Sequence, residues 1–163
     1  MADAGQNLVP RSIAVFGADD PDRLGELVSE RFISGPIIRV AEERIRLFAD
    51  ATDDHQWIHV DPKRAAEGPY KVPVAHGFLT MGLLYALRPE PWYMIVGAES
   101  VRPTGGKYKF IRPVPVGAEI QGSERIKEAK VDLGGVVLTI EYQVRLVDGN
   151  KLALSGEIDL LYS

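Results

Sequence analysis

Residues 76–87 read HGFLTMGLLYAL, and this stretch decides the fold. A helix built from it has almost no polar face, and a helix that is apolar all round must be surrounded by protein. Pro89 ends the helix, because the residue before a proline avoids the helical region. We therefore predict a central buried helix over about residues 76–88.

After residue 92 the hydrophobic period changes from that of a helix to two. One strand has apolar residues at every even position from Leu138 to Leu146, which is typical of a strand with one buried face. The turn residues Asp148–Asn150 then lead into residues 152–162, where five large apolar side chains share one parity, so we predict a hairpin. Further strands are expected near residues 93–101, 106–112 and 118–131, with a turn at Gly134-Gly135.

The part of the chain before residue 76 has helical signals. Residues 20–29 fit a short amphipathic helix, 32–40 an extended segment interrupted at Gly35-Pro36, and 41–52 a helix with Ile45 on its buried side. Asp61-Pro62 and Gly68 frame another short helix. Helices followed by a run of antiparallel strands predict an α+β domain, with a curved antiparallel sheet around the central helix.

The composition limits the class of protein. The 163 residues carry a net charge of −4, whereas nucleic-acid-binding proteins usually have a strongly basic face. There is no cysteine, no signal-peptide pattern and no apolar run near the ~20 residues that span a bilayer. We expect a cytoplasmic protein without nucleic-acid or membrane partners. Residues 13–163 are predicted to form one domain, and residues 1–12 a tail in which LVPRS resembles part of a vector-encoded protease site.

The titratable residues are concentrated just before the central helix. All three histidines, His55, His59 and His76, lie within 22 residues of one another, and Asp53 and Asp54 directly precede them. A cluster of acids and bases between two helices marks the candidate site.

Two segments of this region resemble the MaoC-like dehydratases, the (R)-specific enoyl-CoA hydratase group, and within it the NodN-like subgroup. They are residues 48–62, FADATDDHQWIHVDP, and residues 75–79, AHGFL. The resemblance implies a hot-dog fold, a homodimer, and reversible hydration of a trans-2-enoyl thioester in fatty acid metabolism, with an (R)-3-hydroxyacyl product. It implies no metal or redox cofactor, and coenzyme A or an acyl carrier protein as part of the substrate.

By the same resemblance, Asp54 and His59 match the catalytic pair, and Gly77 matches the residue whose amide contacts the thioester oxygen. The residue types suit this chemistry. Hydration needs one group to take a proton from water and another to deliver one to C2, and each transfer is worth ~10²–10⁴ in rate. A glycine at a helix start lets a carbonyl approach the free amides and the positive end of the helix dipole.

Three more residues are candidates for substrate contact. His76 can cap the central helix or face the substrate, and Trp57 can belong to the core or to the substrate wall. Gln56-Trp57 stands where the family usually has Asn-Pro, and Tyr85 replaces a small hydroxyl residue, which predicts a reshaped acyl pocket.

Three alternatives remain. A hot-dog thioesterase also needs a carboxylate and a polarised thioester, and a NodN-like accessory protein would bind an acyl ligand without catalysis. His55, His59 and Asp61 have a spacing that could hold a metal, but Pro62 breaks a helix through them and we expect no metal. The sequence leaves open the acyl length, the carrier and the physiological direction.

Overall fold

The computed structural model describes residues 14–17, 21–132 and 134–163. The predicted tail, residues 1–12, lies outside the described residues, and the domain boundary at residue 13 stays a prediction. None of the helices in the described part of the chain is both long and apolar enough to cross a bilayer.

Five antiparallel strands form the main sheet, in the order β2-β5-β6-β7-β4, and two short parallel strands, β1 and β3, form a second. The strands are β1 (Ala14–Gly17), β2 (Ile33–Arg39), β3 (Tyr93–Val96), β4 (Val101–Phe110), β5 (Glu119–Asp132), β6 (Gly135–Leu146) and β7 (Lys151–Tyr162). The helices are α1 (Pro21–Leu24), α2 (Glu42–Thr52), α3 (Trp57–Val60), α4 (Pro62–Glu67) and α5 (Gly77–Gly82), with 3₁₀ turns at Gly25–Leu27, Leu83–Tyr85 and Asp148–Asn150.

The even-numbered side chains of β6 form the buried face of the sheet, as their period predicts. Tyr142, Val144 and Leu146 pack in one core cluster with α5 residues such as Leu79. Leu138 and Ile140 belong to a second cluster, which α1, β1 and β3 cover. The α+β hot-dog arrangement is therefore confirmed, with α5 across one half of the sheet.

The central helix is shorter and less enclosed than predicted. The α-helix ends at Gly82 and continues as one 3₁₀ turn, because glycine is a poor helix former and 3₁₀ turns are frequent at helix ends. Leu79, Leu83 and Leu87 are buried, but Phe78 is 58% and Tyr85 is 85% exposed. The prediction of burial all round was wrong, since the sheet of one chain covers a single side of the helix.

After residue 92 the strand predictions were correct in number but not in every boundary, and β1 was not predicted. The expected strand at 93–101 divides into β3 and the start of β4, and the hairpin turns lie at Gly134-Gly135 and Asp148–Asn150 as predicted. The parity of β7 changes at a bulge: Val144 pairs with Leu154 and Arg145 with Leu152, so that Ala153 has no partner on β6 and is buried.

The predicted helices at 41–52 and 62–67 are confirmed as α2 and α4. Ile45 and Ala49 are the buried residues of α2. The Asp61 side chain accepts a hydrogen bond from the Arg64 amide at 3.0 Å and caps α4, with Pro62 in the first turn. Of the predicted helix at 20–29, residues 21–24 are α-helical and 25–27 form a 3₁₀ turn, and Leu24 and Leu27 are buried.

The end of the central helical segment lies directly on the backbone of two strands. A Cβ atom at Gly122 of β5 would lie 2.7 Å from the Leu87 Cβ and 2.8 Å from its carbonyl oxygen. A Cβ atom at Gly35 of β2 would lie 2.0 Å from the same oxygen. These two glycines therefore set how closely residues 83–88 approach the sheet.

We expect Gly122→Ala to lower the free energy of unfolding by about 1–3 kcal/mol, the usual cost of overpacking. Gly25→Ala is the matched control, because a Cβ there meets nothing within 4 Å. It should leave stability unchanged or raise it by up to ~1 kcal/mol. Urea unfolding followed by circular dichroism measures both, and equal stabilities of the two variants would contradict the close approach.

Candidate active site

Asp54 is presented by a tight turn after α2. Asp53 ends the helix with a φ of 54°, in the left-handed region that aspartate tolerates better than most residues. The Asp54 amide then donates to the Ala49 carbonyl at 3.1 Å. The turn directs the chain away from the helix axis and leaves the Asp54 carboxylate partly exposed.

His59 is buried in α3 and has a fixed tautomer. Its Nδ1 lies 2.6 Å from the Val74 carbonyl oxygen. A carbonyl can only accept, so Nδ1 carries the proton and Nε2 presents a lone pair. Burial lowers the pKa of His59 below its ordinary value of 6.5, more than the Val74 hydrogen bond raises it. The ring is therefore neutral and ready to accept a proton at neutral pH.

His76 lies against both members of the pair. Its ring stacks on His59 with centroids 3.7 Å apart and planes 25° from parallel, and its Nε2 donates to the Asp54 backbone carbonyl at 2.9 Å. Its Nδ1 is buried without a hydrogen-bond partner among the described residues. This hydrogen bond from His76 holds the backbone of the loop that carries Asp54.

One carboxylate oxygen of Asp54 and one ring nitrogen each of His59 and His76 lie within 4.8 Å of one another. Two groups at about that separation can share one water, since each hydrogen bond spans about 2.8 Å. The same three groups could also be ligands of a cation, but the two ring centroids are 3.7 Å apart and the planes only 25° from parallel, so an ion at ligand distance from both rings cannot lie in both ring planes. His55, which sequence spacing offered as a metal ligand, instead pairs with Asp50 on the surface.

Gly77 and His59 line the same cleft, of about 330 Å³. Gly77 begins α5, and a Cβ there would lie 3.1 Å from the Phe110 ring of β4. Thr80, Ala153 and Leu154 also line the cleft, so it lies between the start of α5 and the ends of β4 and β7. His59 and Gly77 therefore share one cleft, and an Asp54 carboxylate oxygen lies within 4.8 Å of a His59 ring nitrogen.

Trp57 and Tyr85 lie elsewhere. The Trp57 ring packs against the Arg64 guanidinium, 4.8 Å from the ring centroid, and over Gly68, at the two ends of α4. Tyr85 lines two further cavities beyond the end of α5 and not the cleft at Gly77. Neither side chain is placed beside the pair, and a substrate role for each stays a prediction.

Two groups in the site have no sequence signal. The Val74 carbonyl sets the His59 tautomer, but a backbone atom leaves no mark in residue identity. Phe110 closes the cleft from a strand distant in sequence, and only the pairing of β4 with β7 brings it there.

Seven basic residues lie between residues 102 and 130 (Arg102, Lys107, Lys109, Arg112, Arg125, Lys127 and Lys130), and three of them form ion pairs within the described part of the chain. Lys107 and Lys127 both pair with Glu157, and Arg125 pairs with Glu141 and Glu30. Arg112 differs, because it lines the cleft while its Nη1 donates to the Leu152 carbonyl at 2.8 Å. It places a cation at the cleft wall.

The sheet wrapped around one helix, with an acid and a base at the start of that helix, defines a hot-dog-fold protein with an acid–base site. The chain belongs to the MaoC-like dehydratase family, because the family model of the MaoC like domain matches residues 26–145. Family membership places it among the hydratase/dehydratase enzymes.

Two relatives and one solved structure agree with this. The chain is 38% identical over 128 residues to 3-hydroxyacyl-thioester dehydratase Z of Mycobacterium tuberculosis, covering 77% of this chain and 83% of the relative. It is 35% identical to nodulation protein N of Rhizobium leguminosarum, over 85% and 86% of the two chains. The structure of an (R)-hydratase from A. caviae superposes with a TM-score of 0.66 at 22% identity, covering 82% and 95%.

The lowered pKa of His59 predicts the acid limb of the pH–rate profile. On the hypothesis that the neutral ring is the base, kcat/KM should be flat near pH 7 and fall at lower pH, with a midpoint below 6.5. Fold stability should weaken in the same window, because the unfolded chain takes up this proton more readily.

Initial rates across pH 5–8 (roughly the range in which histidine titrates), with an unfolding curve at each pH, test this. His55→Ala is the control. The Asp50 carboxylate raises the pKa of exposed His55, and its loss should not move the limb. A midpoint above 6.5 would contradict the assignment of the base to buried His59.

Proposed function

We propose that this protein adds water reversibly to a trans-2-enoyl thioester and forms the (R)-3-hydroxyacyl thioester. The observation that carries the proposal is the convergence of Asp54 and His59 to within 4.8 Å, beside a cleft that begins at Gly77. The likeness to the A. caviae hydratase supports the (R) configuration.

Asp54 and His59 hold the reacting water between them. The carboxylate accepts one O–H, and Nε2 of His59 takes the other proton as the water oxygen attacks C3. The electron pair of the C2–C3 double bond moves towards the thioester oxygen and forms an enolate. The proton on His59 then goes to C2, so that the added hydroxyl and hydrogen together account for one water.

The Gly77 amide stabilises the charge on the thioester oxygen. The first amides of α5 have no partner within the helix, and Gly77, which begins it, lines the cleft. A donor placed at such an oxygen is worth ~10²–10³ in rate. Because Gly77 has no side chain, the space beside the Phe110 ring that a Cβ atom would fill stays open.

The carrier is coenzyme A or an acyl carrier protein. Both carry phosphate, and Arg112 offers a cation to it at the cleft wall. Fatty acid metabolism in the cytoplasm is the setting we infer, and the reaction needs no metal or redox cofactor.

Asp54→Asn and His59→Ala should each lower kcat/KM by ~10²–10⁴, because each removes one proton-transfer partner. Loss of conjugated enoyl absorbance with crotonyl-CoA measures the rate. His55→Ala, exposed and paired with Asp50, should retain the wild-type rate. Full activity in both the Asp54 and the His59 variant would overturn the mechanism.

The same assay separates the alternatives. A thioesterase would release one free thiol for each thioester consumed, which a thiol reagent detects. A non-catalytic acyl-binding protein would bind acyl-CoA with neither signal. We expect loss of the enoyl absorbance without thiol release.

We also propose a homodimer in which a second copy covers the β4 side. β4 lies at the sheet edge, and all ten of its residues are exposed. Phe78, Tyr108 and Phe110 form an exposed aromatic cluster there, with ring centroids 5.2–5.9 Å apart. An open edge strand with apolar side chains is prone to pair with another chain. Because Phe110 also lines the cleft, the second copy would border the site.

Sedimentation velocity at micromolar concentration should therefore give a dimer. Phe78→Asp, which places a charge in the aromatic cluster, should shift it to monomer while the circular dichroism spectrum is unchanged. Lys63→Asp on exposed α4 is the control and should stay dimeric. A wild-type monomer would contradict the proposal.

A further inference from the structure

A second cavity, of about 590 Å³, lies along the later part of the central helical segment. Gly77 and Thr80 line the cleft beside His59, whereas Met81, Leu84 and Leu87 line this cavity. The two spaces therefore follow successive turns of one helix. Most of the cavity wall is apolar, with Ile140, Ile158 and Leu160 on the sheet side.

A cluster of polar side chains lies at the end of the cavity that Arg88 lines. We call Arg88, Glu124, Tyr93 and Tyr162 the Arg88 cluster. Arg88 donates to Glu124 from Nε and from Nη2, at 3.2 Å in both cases, and from Nη2 to the Tyr93 hydroxyl at 3.3 Å. The Tyr93 and Tyr162 hydroxyls are hydrogen-bonded at 2.9 Å.

The Arg88 cluster keeps hydrogen-bonding capacity for a ligand. Among the described residues, Arg88 Nη1 makes no hydrogen bond, and a guanidinium has five donors of which Nη1 supplies two. Arg88 and Tyr162 both line the cavity. When Tyr93 donates to Tyr162, the Tyr162 hydroxyl hydrogen is also free to donate.

The charges of the cluster cancel. Burial lowers the pKa of Arg88, but Glu124 raises it by more, so Arg88 stays charged beside the carboxylate. Burial also raises the pKa of Tyr93, which keeps its proton. The Glu124 carboxylate would repel a ligand carboxylate. A neutral ligand oxygen can accept hydrogen bonds from Arg88 and Tyr162 without adding a charge.

Only one partner of the ion pair is buried, because the Glu124 side chain is 9% exposed and that of Arg88 is 35% exposed. Burial of a carboxylate removes its hydration, which a charged partner must offset. Glu124 is among the few buried charged residues in the described part of the chain, and it faces a cavity that is otherwise mostly apolar.

We propose that this cavity receives the acyl chain of the substrate and selects a medium-length chain with a neutral oxygen, a hydroxyl or carbonyl, near its far end. This rests on the proposed function, which places the thioester at Gly77. From Gly77 to Tyr85 the helical segment spans roughly 13 Å at its usual rise per residue. That distance sets the chain length that reaches Arg88.

The test compares trans-2-decenoyl-CoA with its ω-hydroxy derivative. We expect kcat/KM to favour the hydroxy substrate by about tenfold, the effect of one hydrogen bond to a charged group. The double variant Arg88→Met/Glu124→Met removes both charges and leaves neither unpaired, and it should lose or reverse this preference. Crotonyl-CoA, too short to reach the cluster, should react equally with both proteins.

Equal kcat/KM for the two decenoyl substrates in the wild type, or a preference that survives in the double variant, would overturn the proposal. Tyr162→Phe gives a second route if the double variant does not fold, and it should reduce the preference. If crotonyl-CoA is not hydrated at all, the proposed function fails by itself. Calorimetry with decanoyl-CoA and ω-hydroxydecanoyl-CoA then still tests the cavity, and equal Kd values would overturn it.

Discussion

The hydrogen bond from His59 Nδ1 to the Val74 carbonyl connects the two halves of the site. Val74 lies two residues before His76 and three before Gly77, so this bond fixes the position of α3 relative to the start of α5. The Val74 amide donates to the Ile58 carbonyl at 3.0 Å, and the Ala75 amide donates to Val114 at 2.8 Å. Residues 74 and 75 therefore link α3 to the segment between β4 and β5, and His59 to the start of α5.

The same bond has a chemical consequence, because a histidine that must donate from Nδ1 can accept only at Nε2. Burial then keeps the ring neutral, and the stacked ring of His76 prevents it from rotating away from Asp54. The Nδ1 atom of His76 is buried without a hydrogen-bond partner in the described part of the chain.

Local patterns predicted the parts of the fold that depend on local interactions. The cap at Asp61, the period of β6 and the turn at Asp148–Asn150 each act within a few residues, and all are found where expected. The spacing of Asp54 and His59 also favours close side chains, because a turn and one short helix join them, and their atoms lie within 4.8 Å, while their catalytic roles stay predictions.

The features that the sequence did not predict depend on distant contacts. The helical period of residues 76–87 cannot reveal which side the sheet leaves open, so the exposure of Phe78 was missed. The bulge at Ala153 is set by pairing with β6, and Arg88 meets Glu124 across 36 residues. Every residue has a backbone carbonyl, so the role of the Val74 carbonyl cannot be predicted from residue type.

Residues 77–88 form two segments, α5 and the residues that follow it, because the α-helix ends at Gly82 and continues as a 3₁₀ turn. The first turn of α5 has an ordered start, since the Thr80 amide donates to the His76 carbonyl at 3.1 Å and leaves the Gly77 end facing the cleft. Beyond Gly82 the tighter 3₁₀ turn brings Leu87 onto Gly35 and Gly122, which draws residues 83–88 against β2 and β5. That contact directs Arg88 towards Glu124 on the same strand as Gly122. The close approach of the backbone therefore fixes the position of Arg88, as the Val74 hydrogen bond fixes that of His59, and one helical segment separates the two.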